Sequence, residues 1–343
     1  MSADYLAPVQ RAYASPRYPR LVDGATFVDG LTSEPEPLWG EPGRVLAAVG
    51  EPAMVCGPQG VGKTSIAQQF ARARMGLTEF ALGLPVRSDE RRVLYLAMDR
   101  PRQAARSLTR MIEADDERRV LRERLLVYQG PPPFSVLQEP EALAEMVVAL
   151  KAGLLVVDSL KDLAPGLAKD DVGAAVNIAM QHVIAAGVEL FELHHQRKAT
   201  ADNKRPQTLD DVFGSTWLTS GCGSVVLLWG KPGDAFVELR HLKQPAEEVG
   251  PLTVRHDHLR GSSAIVDALT IEQILATTPT VTAHDTAGML FATSEPDRNQ
   301  VERARRQLER AVGNGFARRS PKTHLRGDVT YQREEGETWN AEG

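Results

Sequence analysis

Between residues 40 and 260 the chain alternates short, continuous apolar runs with amphipathic stretches. RVLAAV (44–49), PAMVCG (52–57), VLYLAM (93–98), LLVYQG (125–130) and LLVVDSL (154–160) are short and bounded by turn residues, so they read as buried strands. Helical periodicity falls between them: from Thr64 onward, near 102–124, near 140–151 and near 171–186. Strand and helix in alternation predict a parallel α/β sheet. VELFELHH (188–195), SVVLLW (224–229), FVELRHL (236–242) and LTVRHD (252–257) then follow as late strands with short connections. Such strands suit an antiparallel edge added to a parallel sheet.

The flanks differ. Residues 1–38 are rich in Pro, Ser and Tyr without a sustained period, which predicts an extended arm or strap. Trp39 reads as a core or strap aromatic, with a cover over adenine as the alternative. Three amphipathic segments and a terminal hairpin pattern, IVDALTIEQILATT, TVTAHDTAGMLFA, DRNQVERARRQLERAVGNGF and then VTYQ, resemble a winged helix-turn-helix over 263–333. An acidic tail, 334–343, closes the chain. The main domain is thus expected at 39–262.

Composition narrows the classes. At 343 residues the chain has room for about two domains, with 40 basic against 45 acidic side chains and a net charge of −5. Bulk charge therefore does not bind nucleic acid, and any such contact needs a local patch. No run approaches the roughly 18 apolar residues of a membrane span, so no membrane role is expected. The start lacks a signal-peptide core. Cys56 and Cys222 stand too far apart for a disulfide scaffold or metal spacing. A reducing cytoplasm is the expected setting.

The strongest local signal is Gly57-Pro58-Gln59-Gly60-Val61-Gly62-Lys63-Thr64, followed by Ser65, between an apolar strand and an amphipathic helix. This spacing matches a phosphate-binding loop in the context it requires. Backbone N–H groups freed by the glycines cradle phosphates, the helix start adds its positive end, and Lys63 reaches the β and γ phosphates of ATP. Thr64 would hold Mg²⁺, and Asp158, after four apolar residues, is the carboxylate expected to position the ion. Asp158 could instead cap the following helix. Hydrolysis needs a base for the attacking water, and Asp99 at the end of VLYLAM is the candidate. An ion pair with Arg100 or Arg102 is the plainer alternative for Asp99. His194 and His195 end another strand, and side-chain alternation lets at most one of them face the nucleotide.

With GPQGVGKTS, YLAMDRP, LLVVDSL, LHHQRK, the GST at 214–216 and HLKQP in place, the chain resembles the RecA-like hexameric ATPases over about 40–260. Within them it is similar to the RepA-type plasmid and phage helicases, relatives of the DnaB helicases. The resemblance implies a RecA-like core, ATP and Mg²⁺ as cofactors and a homo-oligomer, a hexamer in that family. It implies a catalytic set of Lys63, Asp99 in place of the usual Glu, and His195 as strand-end sensor with His194 as the alternate. Lys243 fits a residue reaching into a neighbour's site, but the Arg expected two positions later falls on Pro245, leaving Arg240 or Arg255 as substitutes.

DNA contacts are expected in two places. The polar stretch after the histidines carries Arg197, Lys198, Lys204 and Arg205, which in the resembled helicases would track single-stranded DNA in a central channel. The segment 298–333 holds ten basic against three acidic residues. On a helix over about 297–313, Val301, Ala304 or Arg305, Leu308 and Val312 trace a buried stripe, leaving Arg303, Arg306 and Arg310 for a duplex groove. A protein-docking winged helix is the alternative. A DNA motor is the leading function, a nucleotide-switched DNA-binding or regulatory assembly ATPase is the alternative, and a small-molecule kinase comes third for lack of an acceptor-site pattern.

Overall fold

The computed structural model describes residues 20–30, 34–197, 206–266, 270–278, 280–291, 296–320 and 329–334. Met1–Glu36 and Pro37–Gly343 are separate units. In the first, the helix Gly24–Asp29 begins at Asp23, whose carboxylate accepts from the Thr26 N–H at 2.9 Å.

In the second unit, β1 (Pro37–Glu41) and β2 (Arg44–Ala48) form an antiparallel hairpin, as do the short β4 (Phe80–Ala81) and β5 (Leu84–Pro85). The main sheet comprises β3 (Ala53–Cys56), β6 (Arg92–Ala97), β7 (Leu125–Gln129), β8 (Ala152–Asp158), β9 (Glu189–Leu193), β10 (Ser224–Trp229), β11 (Phe236–Lys243), β12 (Leu252–Asp257) and β13 (Ser262–Val266). Its order is β13-β12-β11-β10-β3-β9-β8-β6-β7. From β10 to β7 every neighbouring pair is parallel, and from β10 to β13 every pair is antiparallel. The fold is an α/β P-loop ATPase core on a mixed, mostly parallel sheet.

Three details correct the pattern-based expectation. RVLAAV lies outside the main sheet, in the β1–β2 hairpin. β9 and β10 belong to the parallel body and flank β3, so the antiparallel edge begins only at β11. Both are buried along nearly their whole length, as a doubly covered strand must be, although each face of β9 carries a glutamate, Glu189 or Glu192. β13 carries the sheet past residue 262, where the main domain was expected to end. The helices expected near 102–124 are Pro101–Thr109 and Asp115–Arg124.

Strand alternation splits the core. Leu154 and Val156 of β8 pack with Phe70, Tyr95 and Phe191 on one face, while Leu155 and Val157 pack on the other with Leu143 and Val147 of the helix Ala142–Ala149 and Val176 and Met180 of the helix Asp170–Ala185. Trp39 is 1% exposed and tilts against Phe70 and Phe191 at 5.6 and 6.0 Å, its indole N–H donating to the Ala81 carbonyl at 3.0 Å. It is a core aromatic. Truncating Phe191 to Ala at the centre of this cluster should cost about 3–5 kcal/mol.

The C-terminal part has helices Ile271–Thr277, Ala283–Leu290 and Arg298–Gly313 and a small antiparallel sheet ordered β14 (Val281–Thr282), β16 (Thr330–Arg333), β15 (Ala317–Ser320). Each helix starts with a reciprocal capping box, from Thr270, Thr282 and Asp297. Its own core gathers Ile274, Leu308 and Tyr331.

Candidate functional site: a phosphate-loop cleft

Parallel strands carry their C-terminal ends to one edge of the sheet, and ligands of such folds gather there. Here β3, β6, β8 and β9 deliver the phosphate loop, Asp99, Asp158 and His195 to a single cleft of about 470 Å³. The loop from Gly57 to Gly62 leads into the helix Lys63–Arg74. Gln59, Gly60, Gly62, Lys63, Thr64 and Ser65 line the cleft, while Val61 is buried and packs into the core beneath them. Two glycines are required by their surroundings. A Cβ on Gly57 would lie 2.3 Å from the Leu228 carbonyl oxygen, and one on Gly62, at φ +92°, would lie 2.4 Å from the His256 ring.

Lys63 is 8% exposed, and its ammonium donates to the carbonyls of Gly57 at 2.8 Å and Pro58 at 2.6 Å. Burial lowers its pKa to about 8, against the pull of Cys56 and Asp158. Thr64 Oγ1 donates to Asp158 Oδ2 at 3.0 Å, and Tyr95 OH donates to the same oxygen at 2.7 Å. Burial raises the Asp158 pKa, opposed by those two hydrogen bonds and by Lys63. The pair fits Mg²⁺: a hydroxyl and a carboxylate offer hard oxygen donors side by side. Among the described residues no group of three or more His, Cys, Asp or Glu could hold a metal. Phosphate oxygens and water must therefore complete the shell, which is the usual habit of Mg²⁺ at nucleotide sites.

Asp99 lines the same cleft but is 58% exposed and paired with Arg100, Nε to Oδ2 at 3.1 Å. The ion pair foreseen as the plainer alternative for Asp99 is thus present. The histidines separate as alternation requires. His194 is fully buried with Nε2 at 2.6 Å from the Phe213 carbonyl, and burial lowers its pKa to about 4. His195 lines the cleft, its pKa lowered by burial and by Lys63 and Lys161, with Asp162 and Asp99 opposing.

The residues expected to serve a neighbouring site are occupied within their own chain. Lys243 Nζ donates to the carbonyls of Thr219 and Ser220, at 3.2 and 3.0 Å, at the end of the helix Thr216–Ser220. Arg240 pairs with the buried Glu238. Arg197 donates through its backbone to the Asp211 carbonyl at 2.8 Å and through its guanidinium to the Gly214 carbonyl at 3.4 Å. Lys198, Lys204 and Arg205 lie outside the described residues. On the helix Arg298–Gly313, Ala304, Leu308 and Ala311 are buried, and Arg303, Arg306 and Arg310 are exposed. Arg305 is exposed too, so Ala304 is the residue of the buried stripe. Arg303 lies over the Phe291 ring at 5.1 Å and Arg306 is 3.7 Å from Glu302.

Several cleft residues went unforeseen. Tyr95 sits mid-strand, where only the register of β6 against β8 brings its hydroxyl to Asp158. His256, on the antiparallel edge, is 9% exposed, covers Gly62 and holds Ser263 Oγ at 2.7 Å through Nδ1. Burial lowers its pKa to about 4, so it is neutral at physiological pH. Arg100, Arg106 and Arg110 line the wall made by the helix Pro101–Thr109 and its ends. Their spacing along that helix was the available signal.

A phosphate loop, a strand-end Asp bonded to its Thr and a nucleotide-sized cleft define a P-loop nucleoside triphosphatase, a class that binds ATP and generally Mg²⁺. Residues 15–201 match the AAA domain family, more than half of the chain, and the chain belongs to that family. Among solved structures, the ATPase domain of G40P is similar at a TM-score of 0.45 and 13% identity, covering 63% of this chain and 85% of that one. No curated protein matches. No helix among the described residues is long and apolar enough to cross a membrane.

Proposed function

We propose that the protein hydrolyses ATP to drive movement on DNA, as a motor of the RepA-type helicase class acting as an oligomer. ATP would lie in the cleft with its phosphates on the backbone N–H groups of Gln59–Thr64 and on Lys63. Mg²⁺, when bound, would draw charge from the β and γ phosphates, held by Thr64 and, through water, by Asp158. Asp99 takes the proton of the attacking water, the new O–P bond forms at the γ phosphorus, and ADP leaves with the electron pair of the broken bond.

The observation that carries coupling to DNA is the continuity of β9 with the polar loop. His195 faces the cleft, and two residues later Arg197 enters the segment that holds Lys198, Lys204 and Arg205. Both feet of that loop are pinned at the cleft, with Phe213 N–H donating to the His195 carbonyl at 3.0 Å and Arg197 N–H to Asp211 at 2.8 Å. A change at the γ phosphate felt by His195 is thereby passed to cations able to follow a phosphate backbone. The exposed Arg303, Arg306 and Arg310 support a second contact with duplex DNA, on a C-terminal part whose element order suits a winged helix.

A second reading has its own support. Lys243 and Arg240 are engaged inside the chain, which favours a nucleotide-switched DNA-binding assembly without unwinding. Steady-state ATP hydrolysis without DNA, with single strands and with duplex separates the two. Strong stimulation by single strands together with a ring-sized species is expected for the motor. ATP binding with negligible, DNA-independent turnover would favour the switch.

A further inference from the structure

Charge builds on the γ-phosphate oxygens as the β–γ bond breaks, and P-loop enzymes commonly meet it with a cation besides the phosphate-loop Lys. In this chain Lys243 is spent on the Thr219 and Ser220 carbonyls and Arg240 on Glu238. The arginines that line the cleft with Lys63 are Arg100, Arg106 and Arg110. A helix rises about 1.5 Å per residue, which sets Arg106 and Arg110 progressively farther from the strand ends. Arg100 alone stands at the N-cap of the helix, one residue beyond Asp99 and three beyond Ala97, whose strand partner is Asp158.

We propose that Arg100 is a catalytic arginine acting in cis: its guanidinium, paired with Asp99, transfers to the γ phosphate of bound ATP and so frees the Asp99 carboxylate to act as base. This rests on the hydrolysis reading above. The main chain of Arg100 is fixed, because its carbonyl accepts from Gln103 and Ala104 N–H at 2.9 and 3.1 Å and Pro101 follows at the first helical position. Its side chain is 51% exposed and held by an exposed ion pair, a contact that solvent screens. The contact with Asp99 uses Nε alone at 3.1 Å, whereas a phosphate can take two N–H groups of the guanidinium at once, so arrival of the γ phosphate favours the exchange. Asp99 and Arg100 line the same cleft as Lys63, Thr64 and His195, which sets the pair among the groups expected to face the phosphates. In the step itself Arg100 neither gives nor takes a proton. Water's oxygen bonds to the γ phosphorus, its proton goes to Asp99, and the bridging oxygen leaves on ADP.

The test uses the full-length chain. Arg100→Ala should still bind ATP while its kcat falls about 10²–10³-fold with KM changed far less, and Arg100→Lys should recover part of the loss. Mixing Arg100→Ala with Lys63→Ala protein should restore nothing, since neither chain then carries a complete site. Turnover by Arg100→Ala at or above the wild-type rate would overturn the proposal, showing that the arginine only restrains Asp99. Restored turnover in the mixture would also overturn it, by showing that Arg100 serves a neighbouring chain. A wild-type protein without turnover would sink the hydrolysis reading and this proposal together, whereas an active wild type beside an equally active Arg100→Ala sinks this proposal alone.

Discussion

Strands β6 and β8 lie side by side and carry similar sequences, an apolar run that stops at an aspartate, yet the two aspartates meet opposite environments. Asp158, the last residue of β8, is directly opposite Ala97 and accepts hydrogen bonds from Thr64 and Tyr95 in a buried setting. Asp99 lies two residues past Ala97, where β6 has ended, and stands in solvent against Arg100. Two residues beyond that register, a fixed carboxylate gives way to a movable one. A metal-positioning group benefits from the first condition and a group that must take a proton from water from the second.

The comparison breaks most visibly if Asp158 is removed. Asp158→Ala should lose Mg²⁺-dependent ATP turnover by at least about 10²–10³-fold, and its nucleotide affinity should no longer respond to Mg²⁺ in a fluorescence titration. Asp99→Asn should retain ATP affinity and its Mg²⁺ response while kcat falls about 10²–10⁴-fold. Equal loss of binding in both variants would erase the distinction between the two strand ends. Tyr95→Phe is smaller, deleting one buried hydrogen bond to Asp158 at a cost of about 0.5–1.5 kcal/mol in a chemical denaturation curve. It also removes a contact that holds the Asp158 pKa down, so the acid limb of the turnover profile should move to higher pH.

How much of this was legible follows the distance between the residues concerned. The phosphate loop is local: eight consecutive residues and their flanks contain everything its geometry needs. Asp158 was legible for the same reason, since a strand and the turn after it form one segment. His256 was not, because its place over Gly62 depends on β12 folding back across a sheet whose order cannot be read from periodicity. The parallel placement of β9 and β10 was missed because they were grouped with the closely connected β11 and β12, although the stretches 159–188 and 194–223 have the length of crossovers. β13 was hidden because IV at 265–266 runs on into residues that read as the next helical segment. His194 and His195 show the intermediate case: alternation says that they diverge, and only the packing of Phe213 decides which is buried.

The smallest effect tests the comparison without any nucleotide. Folding raises the Asp158 pKa above 3.8, chiefly through burial, whereas Asp99 is exposed. A group whose pKa rises on folding contributes stability that is complete below its unfolded value and lost as pH climbs through its folded value. Near neutral pH the ionised Asp158 therefore burdens the nucleotide-free fold, and Asp158→Asn, which keeps the shape and an acceptor for Tyr95 and Thr64, should melt above the wild type. That advantage should narrow as pH falls toward 3.8. Asp99→Asn removes an exposed charge and should stay within about 0.5 kcal/mol of wild type across the same range. Thermal melts of the two variants from pH 4 to pH 8 (about four units, wide enough to span the expected titration) would decide. A stabilised Asp99→Asn or an unstabilised Asp158→Asn would mean that burial does not separate the two carboxylates. Adding Mg²⁺ and ATP should reverse the order of Asp158→Asn and wild type, because ligand that binds the native state alone adds stability in proportion to its affinity, and the wild-type carboxylate alone gains a cation to face.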